Sequence, residues 1–301
     1  MPDLLLDALP VIDLLEITGN TSAVALLTER DQSSVSRIYR QASDRLGLQF
    51  HKRQNGDYRA SANQALLQEL RRSSQRLRLL QQPPSLRWLS VPWGPSWGDG
   101  AAQPSPLRPA WLGSRRLCEL LREHLLDLAV VPGFELLPEP PAPNAAPAEL
   151  LLSCGSLVAL PLLRQPLQLA AANGHPLHGL STRCDQLDLS HWPLRLFEAP
   201  GAPAARRRQQ LQARGLTVAH RADHRNPAAA PLHLLPALEL ERIHKSQDLR
   251  PLPVASGLED WDVLIVRREL REEPAVVALV EALVEAYRRQ FAQRPDLQLL
   301  R

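Results

Sequence analysis

The chain has 301 residues, 44% of them hydrophobic and 22% charged, and carries a formal net charge of +3. That length suits one large core or two to three ordinary ones, and the composition is neither that of a disordered chain nor that of a membrane protein. The longest apolar run, Leu150 to Leu163, is interrupted by Ser153, Gly155 and Pro161 and is too short to span a bilayer, while the start Met1-Pro2-Asp3-Leu4 lacks the basic opening of a secretory signal.

Leu5, Leu9, Ile12 and Leu15 recur at helical spacing and predict a first helix over Leu4 to Ile17, stopped at Gly19. Asn20, Thr21 and Ser22 offer N-caps for a second helix, Ala23 to about Thr28. Asp31 is the expected N-cap of a third helix, Gln32 to Leu46, which Gly47 ends. Val35, Tyr39, Ala42 and Leu46 define its inner face. The opposite face carries Gln32, Ser33, Ser36, Arg37 and Arg40, which supply amides and hydroxyls for base edges and guanidiniums for guanine or phosphate. An ordinary solvated helix face has a similar look. Next, Asn55-Gly56-Asp57 marks a tight turn between short extended arms, with Lys52, Arg53 and Arg59 on them. A hairpin directly after a third helix has the position of a wing. An uninterrupted helix over 62–82 then shows Leu66, Leu70, Ser73, Leu77 and Leu80 at 4-3-4-3 spacing, a seam suited to pairing with a second copy. Pro83-Pro84 stops it. From Glu29 to Gln82 eleven Lys/Arg face five Asp/Glu, a basic segment able to meet phosphates.

Beyond residue 85 the pattern is of short apolar strands, such as Leu86–Val91 and Trp261–Val266, alternating with helices such as Ser114 to His124, which predicts an α/β domain. Pro138–Pro147 reads as a loop. Cys118, Cys154 and Cys184 are widely spaced, which fits a reducing cytoplasm. Trp88, Trp93, Trp97 and Trp111 cluster in a chain poor in aromatics and form either an aromatic wall for a flat ligand or the cover of a small core. His220 and His224, His175 and His178, and the run Arg206-Arg207-Arg208 read better as surface features than as metal or anion sites. There is no Walker loop, G-x-G-x-x-G, G-x-S-x-G or H-E-x-x-H, so no enzyme, cofactor or metal is expected.

The segments Gly19-Asn20-Thr21-Ser22-Ala23-Val24-Ala25 and Gln32-Ser33-Ser34-Val35-Ser36-Arg37, followed by Leu46-Gly47, Arg53, Arg59 and Ser61, resemble the DNA-binding domain of the LysR-type transcriptional regulators over roughly residues 9–64. Asp127-Leu128-Ala129-Val130, the stretch Leu169 to Leu177, and Val263 to Arg268 followed by Pro274 resemble parts of that family's effector domain. The resemblance implies a winged helix-turn-helix over 1–61, a dimerisation linker helix over 62–84, and a periplasmic-binding-protein-like α/β effector domain over 85–301. Its first subdomain would take about 85–160 and 253–301, and its second about 161–252. It implies double-stranded DNA, a second copy (homodimer or homotetramer) and an unknown small-molecule or ion effector as partners. Ser22, Gln32, Ser33, Ser36, Arg37 and Arg53 match positions that touch DNA, and Arg40 joins them from its place on the same face. Trp93, Ser96 and Trp97 are the candidate effector contacts. Asp31 stands where the family usually has serine, and the proline- and glycine-rich stretch between Leu86 and Leu112 replaces a long helix and a strand. These departures motivate two other readings, a sensor or protein-interaction paralogue with weakened DNA binding and an α/β solute-binding protein.

Overall fold

The computed structural model describes residues 3–52, 58–95, 113–133, 136, 148–149, 155–179, 187–196, 209–213, 216–219 and 231–300. The wing tip, Ser96, Trp97, Trp111, Pro138–Pro147, the run 206–208, His220 and His224 lie outside these residues.

The chain opens with a π-turn over Leu4–Ala8, whose start is capped by the Asp3 carboxylate, and continues as helix α1 (Leu9–Thr18). Gly19 stops α1 in the left-handed conformation, φ 64°. Asn20 caps α2 (Thr21–Leu27) by accepting from the Ser22 N–H at 2.8 Å. Helix α3 (Gln32–Leu46) runs from the Asp31 cap to Gly47, φ 61°. Its buried residues include Val35, Ile38, Ala42 and Leu46. Ile38 joins the inner face assigned from spacing, and Tyr39, half-buried, packs against the same core and edge-on against Phe50 with ring centroids 5.1 Å apart. Strands β1 (Phe50–Lys52) and β2 (Tyr58–Ala60) form an antiparallel hairpin with Phe50 opposite Ala60. Helix α4 (Gln64–Leu80) follows.

The remaining elements build a mixed sheet. In chain order they are β3 (Trp88–Leu89), α5 (Ser114–Arg122), β4 (Leu128–Pro132), β5 (Ala148–Glu149), β6 (Leu157–Ala172), β7 (Leu187–Leu196), β8 (Leu216–Ala219), β9 (Leu232–Pro236), α6 (Ala237–Gln247), β10 (Leu249–Arg267), α7 (Pro274–Phe291) and β11 (Gln298–Leu299). The strand order is β3-β4-β10-β6-β9-β7-β8, with β5 and β11 each paired to β6. The parallel pairs, β3 with β4 and β7 with β8 and β9, come from chain that crosses over between strands. The antiparallel ribbon of β6 and β10 runs through the middle, from Leu157 opposite Arg267 to Ala172 opposite Leu249. One end of this ribbon packs with α7 through Leu162, Leu163, Leu264, Leu279 and Leu283. The other end packs with β7 and β9 through Leu167, Leu169, Leu189 and Leu232. The ribbon therefore joins two lobes, and the architecture is the winged helix-turn-helix, long helix and two-lobed α/β region expected from the sequence.

The helical N-terminal unit does not stand apart from this sheet. Every residue from Val11 to Ile17 is buried, and one apolar cluster runs from Leu9, Ile12, Leu15, Val24 and Leu67 into Leu120, Leu125, Ala129, Val263 and Ile265. A helix with apolar residues on all sides has to be covered on all sides, and α1 is covered by both units. Charged side chains cross the same boundary. Asp13 accepts from Arg71 Nε at 3.0 Å and from Arg87 Nη1 at 2.9 Å, tying α1 to α4 and to the residue before β3. Glu16 pairs with Arg71 at 2.8 Å. Asp127, ahead of β4, accepts from Arg78 Nη2 at 3.0 Å, from the Arg87 N–H at 2.6 Å and from Gln75 Nε2. Gln75 in turn contacts His124 and Arg267. The buried face of α4 thus mixes Arg71, Ser74, Gln75 and Arg78 with Leu67 and Leu79. Of the seam read from the sequence, Leu66, Leu77 and Leu80 point outward, Leu80 at 78% exposure, while Leu70 packs against the core.

Candidate nucleic-acid interface

Helix α3 presents its polar face to solvent because the apolar residues at positions 35, 38, 42 and 46 turn the opposite side inward. Gln32, Ser33, Ser36, Arg37 and Arg40 line one open groove there, together with Gln41 and Asp44. The first five are those predicted from the sequence. Gln41 and Asp44 were missed, although they follow Arg37 by four and seven residues and so share its face.

The start of the helix is held tightly. The Asp31 carboxylate accepts from the Ser34 N–H at 2.7 Å, the Ser34 hydroxyl at 2.7 Å and the Ser33 hydroxyl at 2.5 Å. The Ser33 hydroxyl, then the Ser34 hydroxyl and N–H, hold this carboxyl well below the usual range. Asp31 is therefore an anion next to the groove-lining Gln32, but one that already accepts three hydrogen bonds. Ser33 has committed its proton to it and keeps only acceptor capacity toward the outside. Gln32 Nε2 donates to Thr21 Oγ1 at 2.8 Å, which fixes the first turn of α3 against the first turn of α2. Ser22 is exposed beside that contact.

The two arginines are available. Arg37 has one weak contact, Nη2 to Ser34 Oγ at 3.4 Å, and Arg40 has no hydrogen bond or ion pair among the described residues. Both are exposed. Arg53 lies outside the described residues. Arg59 on β2 turns away from the α3 face and pairs with Glu119 and, at 3.5 Å, with Glu123 of the α5 turn, so the base of the hairpin is fastened to the sheet domain.

Of the candidate effector contacts, Trp93 is 5% exposed and sits in the lobe core, its Nε1–H donating to the Asp262 carboxyl at 3.1 Å. Gln165 Nε2 and Tyr287 Oη donate to the same carboxyl at 3.2 and 3.1 Å. Burial nevertheless pushes Asp262 up to about 7. Ser96 and Trp97 lie outside the described residues. His175 Nδ1 accepts from the Leu177 N–H, and His178 Nε2 lies 3.1 Å from the Ala172 carbonyl; both side chains are used in the turn after β6. Among the described residues no helix is long and apolar enough to cross a membrane.

No family model and no curated protein matches the chain. Among solved structures it is similar to a full-length OxyR variant from Pseudomonas aeruginosa, at 15% identity and TM-score 0.44 over 96% of this chain and 95% of that one. It is similar to CbnR complexed with its target DNA, at 15% identity and TM-score 0.45 over 93% and 98%. It is also similar to the full-length regulator LysG from Corynebacterium glutamicum, at 17% identity and TM-score 0.38 over 94% and 98%.

Proposed function

We propose that this chain is a sequence-specific DNA-binding transcription regulator of the LysR type, controlled by a small-molecule or ion effector. The observation that carries this reading is the outward face of α3. Two exposed arginines without an ion pair among the described residues lie behind a row of short polar side chains, on a helix whose start is pinned to the preceding helix. A helix so arranged can enter a major groove with its first turns at the base edges, Gln32, Ser33 and Ser36 reading them and Arg37 and Arg40 meeting guanine or phosphate. Arg53 on the hairpin would hold the backbone alongside, and Ser22 would meet it from the start of α2. The exposed leucines of α4 would pair with a second copy, placing two such helices on two half-sites.

The test is fluorescence-anisotropy titration of the full chain with DNA from its own upstream region, over a salt series, for wild type and Arg37→Ala. Salt-dependent binding of the wild type, weakened at least tenfold by the substitution and with a salt slope reduced by about one, is the expected result. Equal, weak binding of both proteins to specific and random DNA would refute it. One observation favours a second reading. Asp44 shares the α3 face with the arginines, and its carboxylate repels phosphate. A protein-interaction or sensor paralogue with weakened DNA binding accommodates it.

A further inference from the structure

A second cleft, of about 380 Å³, lies where the hairpin, α4 and α5 meet. Its walls include His51 and Arg59 from the hairpin, Gln68 and Arg71 from α4, Arg122 at the end of α5 and Glu123 just after it. We propose that this cleft is a binding site for a small oxyanion, a carboxylate or phosphate compound, with Arg122 as its principal contact.

The charges of the cleft leave one cation over. Arg71 is held by Asp13 and Glu16, and Arg59 by Glu119 and Glu123. Glu16, which also lines the cleft, is occupied by Arg71 and by the Ala60 N–H. Glu123 lies 3.5 Å from Arg59 and 3.9 Å from Arg71. Arg122 has no ion pair and no side-chain hydrogen bond among the described residues, and its Nε is buried without an acceptor. The Nε of Arg59 is buried and unaccepted in the same way. Buried N–H groups of a guanidinium that find no acceptor are costly, and native proteins leave few of them. Three guanidinium nitrogens of the cleft make no hydrogen bond, and of these Arg71 Nη2 still has the Glu16 carboxylate at 2.8 Å; the other two, one of them on a side chain with no counter-ion among the described residues, describe a place for an anion that brings its own oxygens. A guanidinium edge matches the two oxygens of a carboxylate or phosphate. The volume admits a small anion with a few waters and excludes a nucleotide-sized ligand in full contact. Such an anion would touch the hairpin, the long helix and the sheet domain at once. The site does not depend on DNA binding by α3.

The test uses the full chain without DNA. Its thermal unfolding is followed against malonate and, separately, inorganic phosphate, each compared with sodium chloride at equal ionic strength. The proteins are wild type, Arg122→Gln, Arg122→Lys and Arg250→Gln, the last an exposed arginine on β10. A saturable rise in Tm with either anion, weakened at least tenfold in apparent affinity by both Arg122 variants and unchanged in Arg250→Gln, supports the site. Malonate alone would identify a carboxylate ligand and phosphate alone a phosphate. If neither anion exceeds chloride, or if both Arg122 variants respond as wild type does, the proposal is wrong. Should Arg122→Gln fail to fold, Arg122→Lys keeps the charge, loses the planar fork and decides the matter.

Discussion

Replacing Asp13 by alanine tests whether the helical unit and the sheet domain share one core. Asp13 is 1% exposed and accepts hydrogen bonds from two buried guanidiniums, Arg71 and Arg87. Arg71 keeps Glu16 when Asp13 is lost, but Arg87 loses its ion pair and is left in a site whose burial already pushes its guanidinium below its usual range. Removing one partner of a buried pair costs about 3–5 kcal/mol, because the other charge stays behind without compensation. At about 2–4 °C per kcal/mol for a chain of this size, Tm should fall by roughly 6–20 °C. The assay exploits the distribution of the tryptophans. All six lie between Trp88 and Trp261, and none lies in the helical unit that holds Asp13. Intrinsic fluorescence therefore reports the sheet domain, and far-UV circular dichroism reports the whole chain. If the core is continuous, both signals shift together. A second substitution, Arg87→Met, should recover part of the loss, since it removes the stranded charge. If Asp13→Ala leaves the fluorescence transition unmoved while an earlier dichroism transition appears, the two units unfold separately and the argument fails.

Three other outcomes are expected. In Gly133→Ala the new Cβ would stand 2.0 Å from Trp261 Nε1, a ring that cannot step aside, so overpacking should cost about 1–3 kcal/mol in urea unfolding; a neutral variant would contradict the packing at the end of β4. Asp262 binds its proton more tightly folded than unfolded, so wild-type stability should decline as pH rises from about 4 through about 7, by at most about 1.4 kcal/mol per unit, and then level off. Asp262→Asn cannot titrate there, so its stability relative to wild type should be greater at pH 8 than at pH 5; parallel denaturation profiles would refute this. Leu77→Glu combined with Leu80→Glu places charge on the exposed stripe of α4, and sedimentation should show self-association lost with Tm scarcely changed; a wild-type monomer, or an unaltered oligomer in the variant, would remove α4 as the pairing surface.

Helix α3 was legible to the residue because both of its ends are written locally, in a carboxylate that caps and a glycine that adopts a positive φ. The exposed set Gln32, Ser33, Ser36, Arg37 and Arg40 followed from that frame, since a turn of about 100° per residue leaves little freedom once the start is known. The same rule placed Tyr39 on the inner face, where it packs against the core and Phe50, but did not include its neighbour Ile38, which is buried there too. It could not foresee that the hydroxyl of Ser33 would be spent on Asp31, which depends on a rotamer rather than on spacing.

Helix α4 shows where periodicity stops being informative. Its leucine spacing correctly separates one face from the other, and the reading of an amphipathic helix is to bury the apolar one. Here Arg71, Gln75 and Arg78 share the buried face with Leu67 and Leu79, while Leu66, Leu77 and Leu80 face outward. The mixed face is possible because Asp13 and Asp127, which neutralise the inward arginines, lie on elements 58 and 49 residues away in sequence. A pattern that counts apolar residues along one helix assigns a cost to each inward arginine and has no means of seeing the distant carboxylate that offsets it. The cleft beside Arg122 was hidden for the same reason. His51, Arg59, Arg71 and Arg122 are ordinary surface residues in their own segments, and they converge only because the hairpin is folded back onto α5. What remains unmatched among the described residues after that convergence, one guanidinium without a counter-ion, is a property of the assembled site and of none of its parts.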